Sequence, residues 1–178
     1  MRQEAEASGD DRDQASLAAI NQLIAIELKK SFARITQPDE QAKFAKTLAD
    51  FLSEIETNSQ SGRVVLAAGS TLLETANKLA ASGKENEAKP LFSQAVSALN
   101  RAEKLGFAEE KNRSAFEREL KRQRALAQRG EGNYEQSVAQ FVEILKSSRA
   151  FDIQIDAAST LQQWGTSAKL AQPLVQAV

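Results

Sequence analysis

Asp50 and Glu54 stand four residues apart in "AKTLADFLSEIE", which puts both carboxylates on one face if the stretch is helical. Two carboxylates so placed could share a proton or begin a helical di-metal site. Such sites take Glu-x-x-His partners, and the chain holds no histidine. Without histidine the usual general base near neutral pH and the His-containing zinc sites are also missing. The chain has no cysteine either, so thiolate chemistry and a disulfide framework fall away. Asp50 and Glu54 therefore read as a solvated pair. Serines and lysines are plentiful, yet none sits in a recognisable nucleophile setting. No Gly-rich phosphate loop follows a strand, because no segment alternates as a strand does. The expectation is a non-enzyme without catalytic residues, metal or cofactor.

The stretch "KNRSAFERELKRQRALAQR", residues 111–129, is the one charge anomaly. On a helix Arg118, Lys121, Arg122 and Arg129 share a face that could contact phosphates or an acidic partner. A solvated face paired with carboxylates of neighbouring helices explains it equally. Only Phe116 interleaves with the charges, so there is no stacking platform for nucleic acid. Across the chain Lys+Arg 23 against Asp+Glu 24 leave a net charge of -1, and no global field draws in nucleic acid or an anionic membrane. Trp164, the lone tryptophan, could anchor an interface; the preferred reading is that it plugs the end of the last hairpin.

The elements that carry these residues are all helical in period. At 178 residues, 42% of them apolar, the chain fits one domain with a core of its own. Leu17, Ile20, Ile24, Leu28, Phe32 and Ile35 form one stripe of a helix from about Gln14 to Ile35. "TQPDE" punctuates, with Thr36 as a candidate N-cap, Pro38 in the first turn and Asp39 completing an approximate capping box. The next helix runs to about Glu56, before the loop "TNSQSG". A third spans about Arg63 to Ala81. A fourth starts near Asn86 and stops at Gly106, where a left-handed residue and Phe107 suggest a Schellman end. Pro90 falls inside it and is tolerable if the helix begins late. A fifth covers about Ala108 to Arg129. The sixth follows Asn133 as N-cap with Gln136 three residues on. The seventh spans Asp152 to Trp164. An eighth begins after Thr166, with Pro173 kinking it or delaying its start. No apolar window reaches the ~20 uncharged residues of a membrane span.

Three glycines mark a recurrent pattern. After Gly83 come Ala88, Phe92 and Ala95; the same offsets after Gly132 hold Ser137, Phe141 and Ile144, and after Gly165 hold Leu170, Leu174 and Ala177. Seven residues before each glycine sits Ala76, Ala125 or Ala158. A small residue on the first helix admits the second closely, and glycine turns the chain between them. This resembles the tetratricopeptide (TPR) repeat, a helix-turn-helix of ~34 residues. The likeness covers about residues 63–178. The early tryptophan of that repeat is replaced by Leu72, Lys121 and Gln154, no proline closes the second helix after Leu145, and "RGEG" offers two glycines for one turn.

The resemblance implies an all-α fold of antiparallel helical hairpins in a right-handed superhelical array, about eight helices in all. Residues 1–13 read as a disordered tail, 14–62 as an N-terminal helical hairpin and 63–178 as TPR-like repeats. It also implies protein binding in a concave groove built from the first helices of successive hairpins. The groove-facing positions carried over are Leu73, Asn77, Arg122, Leu126, Ile155, Ser159 and Gln162. The subclass that grips a C-terminal carboxylate uses paired lysines, asparagines and an arginine; only Asn77 has a counterpart here, which argues against that mode. The expected partner is a protein or peptide held by shape and apolar anchors, and the alternative is nucleic acid on the basic face of residues 111–129. The last stretch, "TSAKLAQPLVQAV", lacks the polar outer face of a solenoid end. That suggests more protein beyond it in the parent chain, which is the preferred reading, then self-association through this helix, or a surface that binds the partner. The compartment is left open: cytoplasmic, or periplasmic if an export signal upstream of Met1 has been removed.

Overall fold

The computed structural model describes residues 16–166, except 17–18, 21–22, 25, 29, 60, 107–112 and 148–150, with the backbone alone given for 151–152. The tail at 1–13, the eighth helix with Pro173, the third-repeat positions Leu170, Leu174 and Ala177, and Phe107 lie outside the described residues. Within them the chain is all helix, seven helices without a strand. Helix α1 comprises the helical residues described between 16 and 34. It is followed by α2 (Pro38–Asn58), α3 (Gly62–Ala81), α4 (Glu85–Leu105), α5 (Arg113–Glu131), α6 (Tyr134–Ser147) and α7 (Phe151–Gly165). From α2 onward each helix packs on the next, and α2 with α4 and α3 with α5 also touch. Connections this short leave consecutive helices antiparallel, as hairpins.

The helix ends show which local signals prevailed. Proline at the first position of α2 forces the preceding residue out of the helical region, so the N-cap is Gln37 at φ -77°, ψ 122°, without a side-chain cap bond. The box expected from Thr36 and Asp39 does not form. Ser61 caps α3, its hydroxyl oxygen accepting from the Val64 N–H at 3.4 Å. Helix α4 starts at Glu85, and Pro90 sits on its exposed side, where the carbonyl it leaves unpaired can turn to water.

The turns after α3 and α5 are built alike. Gly83 and Gly132 take φ of 78° and 96°. The N–H of Lys84 donates to Leu79 and that of Gly83 to Ala80, both at 3.0 Å, while the N–H of Asn133 donates to Gln128 at 2.8 Å and that of Gly132 to Arg129 at 3.0 Å. Both are Schellman ends, which need a residue free of the Cβ penalty at positive φ. The expected third turn differs. Gly165 is the last residue of α7, and it is not among the positive-φ glycines.

Two apolar clusters fill the array. The larger runs from Phe32 through Leu48, Leu52, Leu72, Leu79, Phe92 and Leu99 to Leu120 and Ala127. The smaller joins Ala125, Val138, Phe141, Ile144, Ala157 and Trp164. Leu126 packs against both. Of the α1 stripe, Phe32 is buried and Leu28 half-buried, whereas Ile20 and Ile24 face solvent.

Polar contacts pin the end of α1 to the α3–α4 turn. Lys78 Nζ donates to the Phe32 and Ala33 carbonyls at 2.9 and 3.0 Å and lies 4.8 Å above the Phe32 ring. Gln41 Nε2 donates to the Ile35 carbonyl, and Ser82 Oγ donates to Gln41 Oε1. Lys84 pairs with Asp39 at 2.5 Å. Its hydrogen bond and charge hold the Asp39 carboxyl below its ordinary value of 3.8 and raise Lys84 above 10.5.

Candidate partner-binding groove

The first helices of the hairpins, α3, α5 and α7, carry the positions expected to face a partner. Helices α3 and α5 touch directly, and Ser70 on α3 donates to Gln123 on α5. No backbone approach of that kind joins α5 to α7 among the described residues. Side chains span the gap instead: Arg122 Nε donates to Asp156 Oδ2 at 3.2 Å and Arg122 also lies 3.8 Å from Glu119. The result is an open cleft of about 290 Å³. Phe141 and Ile144 of α6, Ile153 and Ala157 of α7 and Ala115 of α5 supply its apolar surface; Arg118, Glu119, Arg122 and Asp156 supply the polar lining.

A second cleft of about 460 Å³ lies at the turn ends of the hairpins. Asn77 on α3 and Leu126 on α5 both line it, with Phe92, Lys89, Arg129 and Tyr134. Its wall depends on a close approach. A Cβ at Gly130 would stand 2.3 Å from the Phe92 ring, so only glycine lets that ring lie against α5. The two glycines of "RGEG" thus divide the work, Gly132 turning the chain and Gly130 admitting the aromatic.

The expected groove residues are distributed unevenly. Arg122 lines the first cleft and Asn77 and Leu126 the second. Ile155, Ser159 and Gln162 are exposed on α7, Ile155 by 49%. Leu73 is a buried member of the larger core. The inward alanine of α7 is Ala157 rather than Ala158, which is exposed. Ile153, Ala157, Leu161 and Trp164 form the stripe that packs inward, and helical spacing then turns Ala158 outward.

The basic residues are separated by their partners. Lys121 turns to Glu143 on α6 at 2.7 Å. Arg124 is held by Glu103 and Asn100 on α4 and by Gln140 on α6. The Arg129 guanidinium lies 5.2 Å from the Trp164 ring centre. Arg118 alone of the four residues on the expected basic face has no hydrogen bond, ion pair or ring contact among the described residues. Trp164 itself is 3% exposed and meets Phe141 edge-on at 4.8 Å, so it packs α7 onto α6. A polar seam behind the clefts joins Gln140 to Gln128 and Gln128 to Gln136, and Ser137 Oγ donates to the Ala125 carbonyl at 2.6 Å.

No family model, no curated protein and no solved structure matches this chain. Chemistry must be read from the site alone. Among the described residues, no three His, Cys, Asp or Glu side chains gather as a metal site would, and no helix is long and apolar enough to cross a membrane. Asp50 and Glu54 are both exposed on α2. The missed lining residues Glu119, Ile153 and Asp156 had one local signal, the i,i+3 spacing of Glu119 and Arg122; the placing of Asp156 had none.

Proposed function

We propose that the protein is a TPR-like interaction module or scaffold that binds a segment of another protein along the α5–α7 face. Binding rests on shape and apolar anchors, and no chemistry is performed. The observation that carries this reading is the open, apolar-surfaced cleft between α5 and α7. A concave apolar surface left open to water is what a docking surface needs. The nucleic-acid reading draws less support, because Lys121, Arg122 and Arg124 already have acidic partners.

The test is a pull-down from cell extract with the full chain, run with and without nuclease, beside the Ala115→Trp variant, which fills the cleft from an exposed lining position. A discrete protein retained after nuclease treatment and lost with Ala115→Trp is the expected result, with capture only weakly sensitive to salt. Capture that disappears with nuclease and weakens steeply with salt would instead support phosphate binding by the basic face.

A further inference from the structure

The α5–α7 cleft offers an apolar surface beside one cation that has no counter-ion among the described residues. Arg118 is half-buried on its lining, while its neighbour Arg122 is already committed to Asp156 and Glu119. Glu119 in turn accepts from Gln123 Nε2 at 2.8 Å. The four charged side chains of the lining therefore contain a closed set of three and one arginine left over. A guanidinium held at the edge of a low-dielectric surface gains most from a carboxylate that brings its own apolar flank. The volume, about 290 Å³, lies at the lower limit of small-molecule pockets and suits one or two apolar side chains of a peptide. Phe141, Ile144 and Ile153 would receive them.

We infer that this cleft selects an acidic amphipathic peptide segment, in which a leucine-sized or aromatic side chain enters the cleft and an Asp or Glu within one helical turn pairs with Arg118. The inference rests on the partner-binding reading above and adds to it the chemistry of the partner. It also makes Arg118 the determinant of selectivity, since a peptide bearing lysine at the same place meets an unpaired like charge.

The test uses the full chain and three fluorescein-labelled peptides of about twelve residues. Each carries two leucines four apart, flanked by glutamate, glutamine or lysine, and binding is read by anisotropy. The expected order is glutamate over glutamine over lysine. Arg118→Gln should weaken the glutamate peptide about three- to tenfold and leave the glutamine peptide unchanged. Ala115→Trp, at an exposed lining position, should block every peptide by filling the cleft.

The two readings fail differently. Peptides that bind equally whatever their charge, yet are blocked by Ala115→Trp, overturn the acidic selectivity and keep the binding face. Binding that ignores Ala115→Trp overturns the site itself. An unlabelled peptide of residues 167–178 that displaces the glutamate peptide would make the cleft a seat for the chain's own segment and overturn the foreign partner. A labelled single-stranded oligonucleotide bound with the same dependence on Arg118 would overturn the peptide assignment.

Discussion

The α3–α4 and α5–α6 hairpins are the same device filled in two ways. Each turns on a positive-φ glycine in a Schellman end, and each buries a small residue, then Phe92 or Phe141, at matching offsets. In the first, Ala88, Ala95, Leu79 and Leu99 are wholly buried, and Phe92 lies against Gly130 of the next hairpin. In the second, Ser137 replaces the alanine and bonds to a backbone carbonyl, Phe141 meets Trp164 edge-on, and the outer side of Phe141 and Ile144 borders an open cleft. Identical local geometry therefore leaves the use of a hairpin undecided. What packs on its far side makes it core or leaves it facing an open cleft.

The largest expected effect tests that division. Leu99→Ala should cost about 3 kcal/mol, transfer plus cavity, in urea unfolding, whereas Ile144→Ala at the cleft edge should cost no more than about 2. Equal losses would remove the distinction between the hairpins. Next comes the link between them. Gly130→Ala should destabilise by about 2 kcal/mol, because a methyl group meets the Phe92 ring. In a double-mutant cycle Phe92→Leu should recover part of that cost; strict additivity would show that the approach is relaxed elsewhere.

A smaller effect belongs to the second hairpin alone. Ser137→Ala should cost about 1 kcal/mol by losing its buried hydrogen bond to the Ala125 carbonyl. The smallest is ionic and belongs to the first. Asp39, lowered by the Lys84 hydrogen bond and charge, contributes stability that is present above pH 3.8 and fades as pH falls through its lower folded value. Lys84, raised by Asp39, contributes stability that is present below pH 10.5 and fades as pH rises through its higher folded value. Asp39→Asn should remove both slopes from the pH profile of unfolding, and because the pair is exposed the loss should be slight and salt-sensitive.

Much of the architecture was legible from the chain. Apolar residues at three- and four-residue spacing placed the helices, usually to within a residue or two, because an amphipathic stripe is a local property. Gly83 and Gly132 were legible as turns, since positive φ excludes most other residues. Legibility failed where two local signals competed. At 36–40 the restraint of Pro38 on Gln37 displaced the expected Thr36 cap. In α7 a one-residue shift of register exchanged Ala158 for Ala157, because several alternating small residues fit the pattern equally.

The sequence alone determined an all-helical chain, the turns at Gly83 and Gly132 and most of the inward side chains of α2 to α6, for each follows from dihedral preference and period within a few residues. Only the tertiary structure decided which arginine of residues 111–129 is left without a partner among the described residues, which glycine admits Phe92, and whether neighbouring first helices close together or stand apart. Those outcomes depend on distances between side chains such as Arg122 and Asp156, which meet at 3.2 Å from different helices. Such distances are set by how whole helices pack, and no spacing along the chain encodes them.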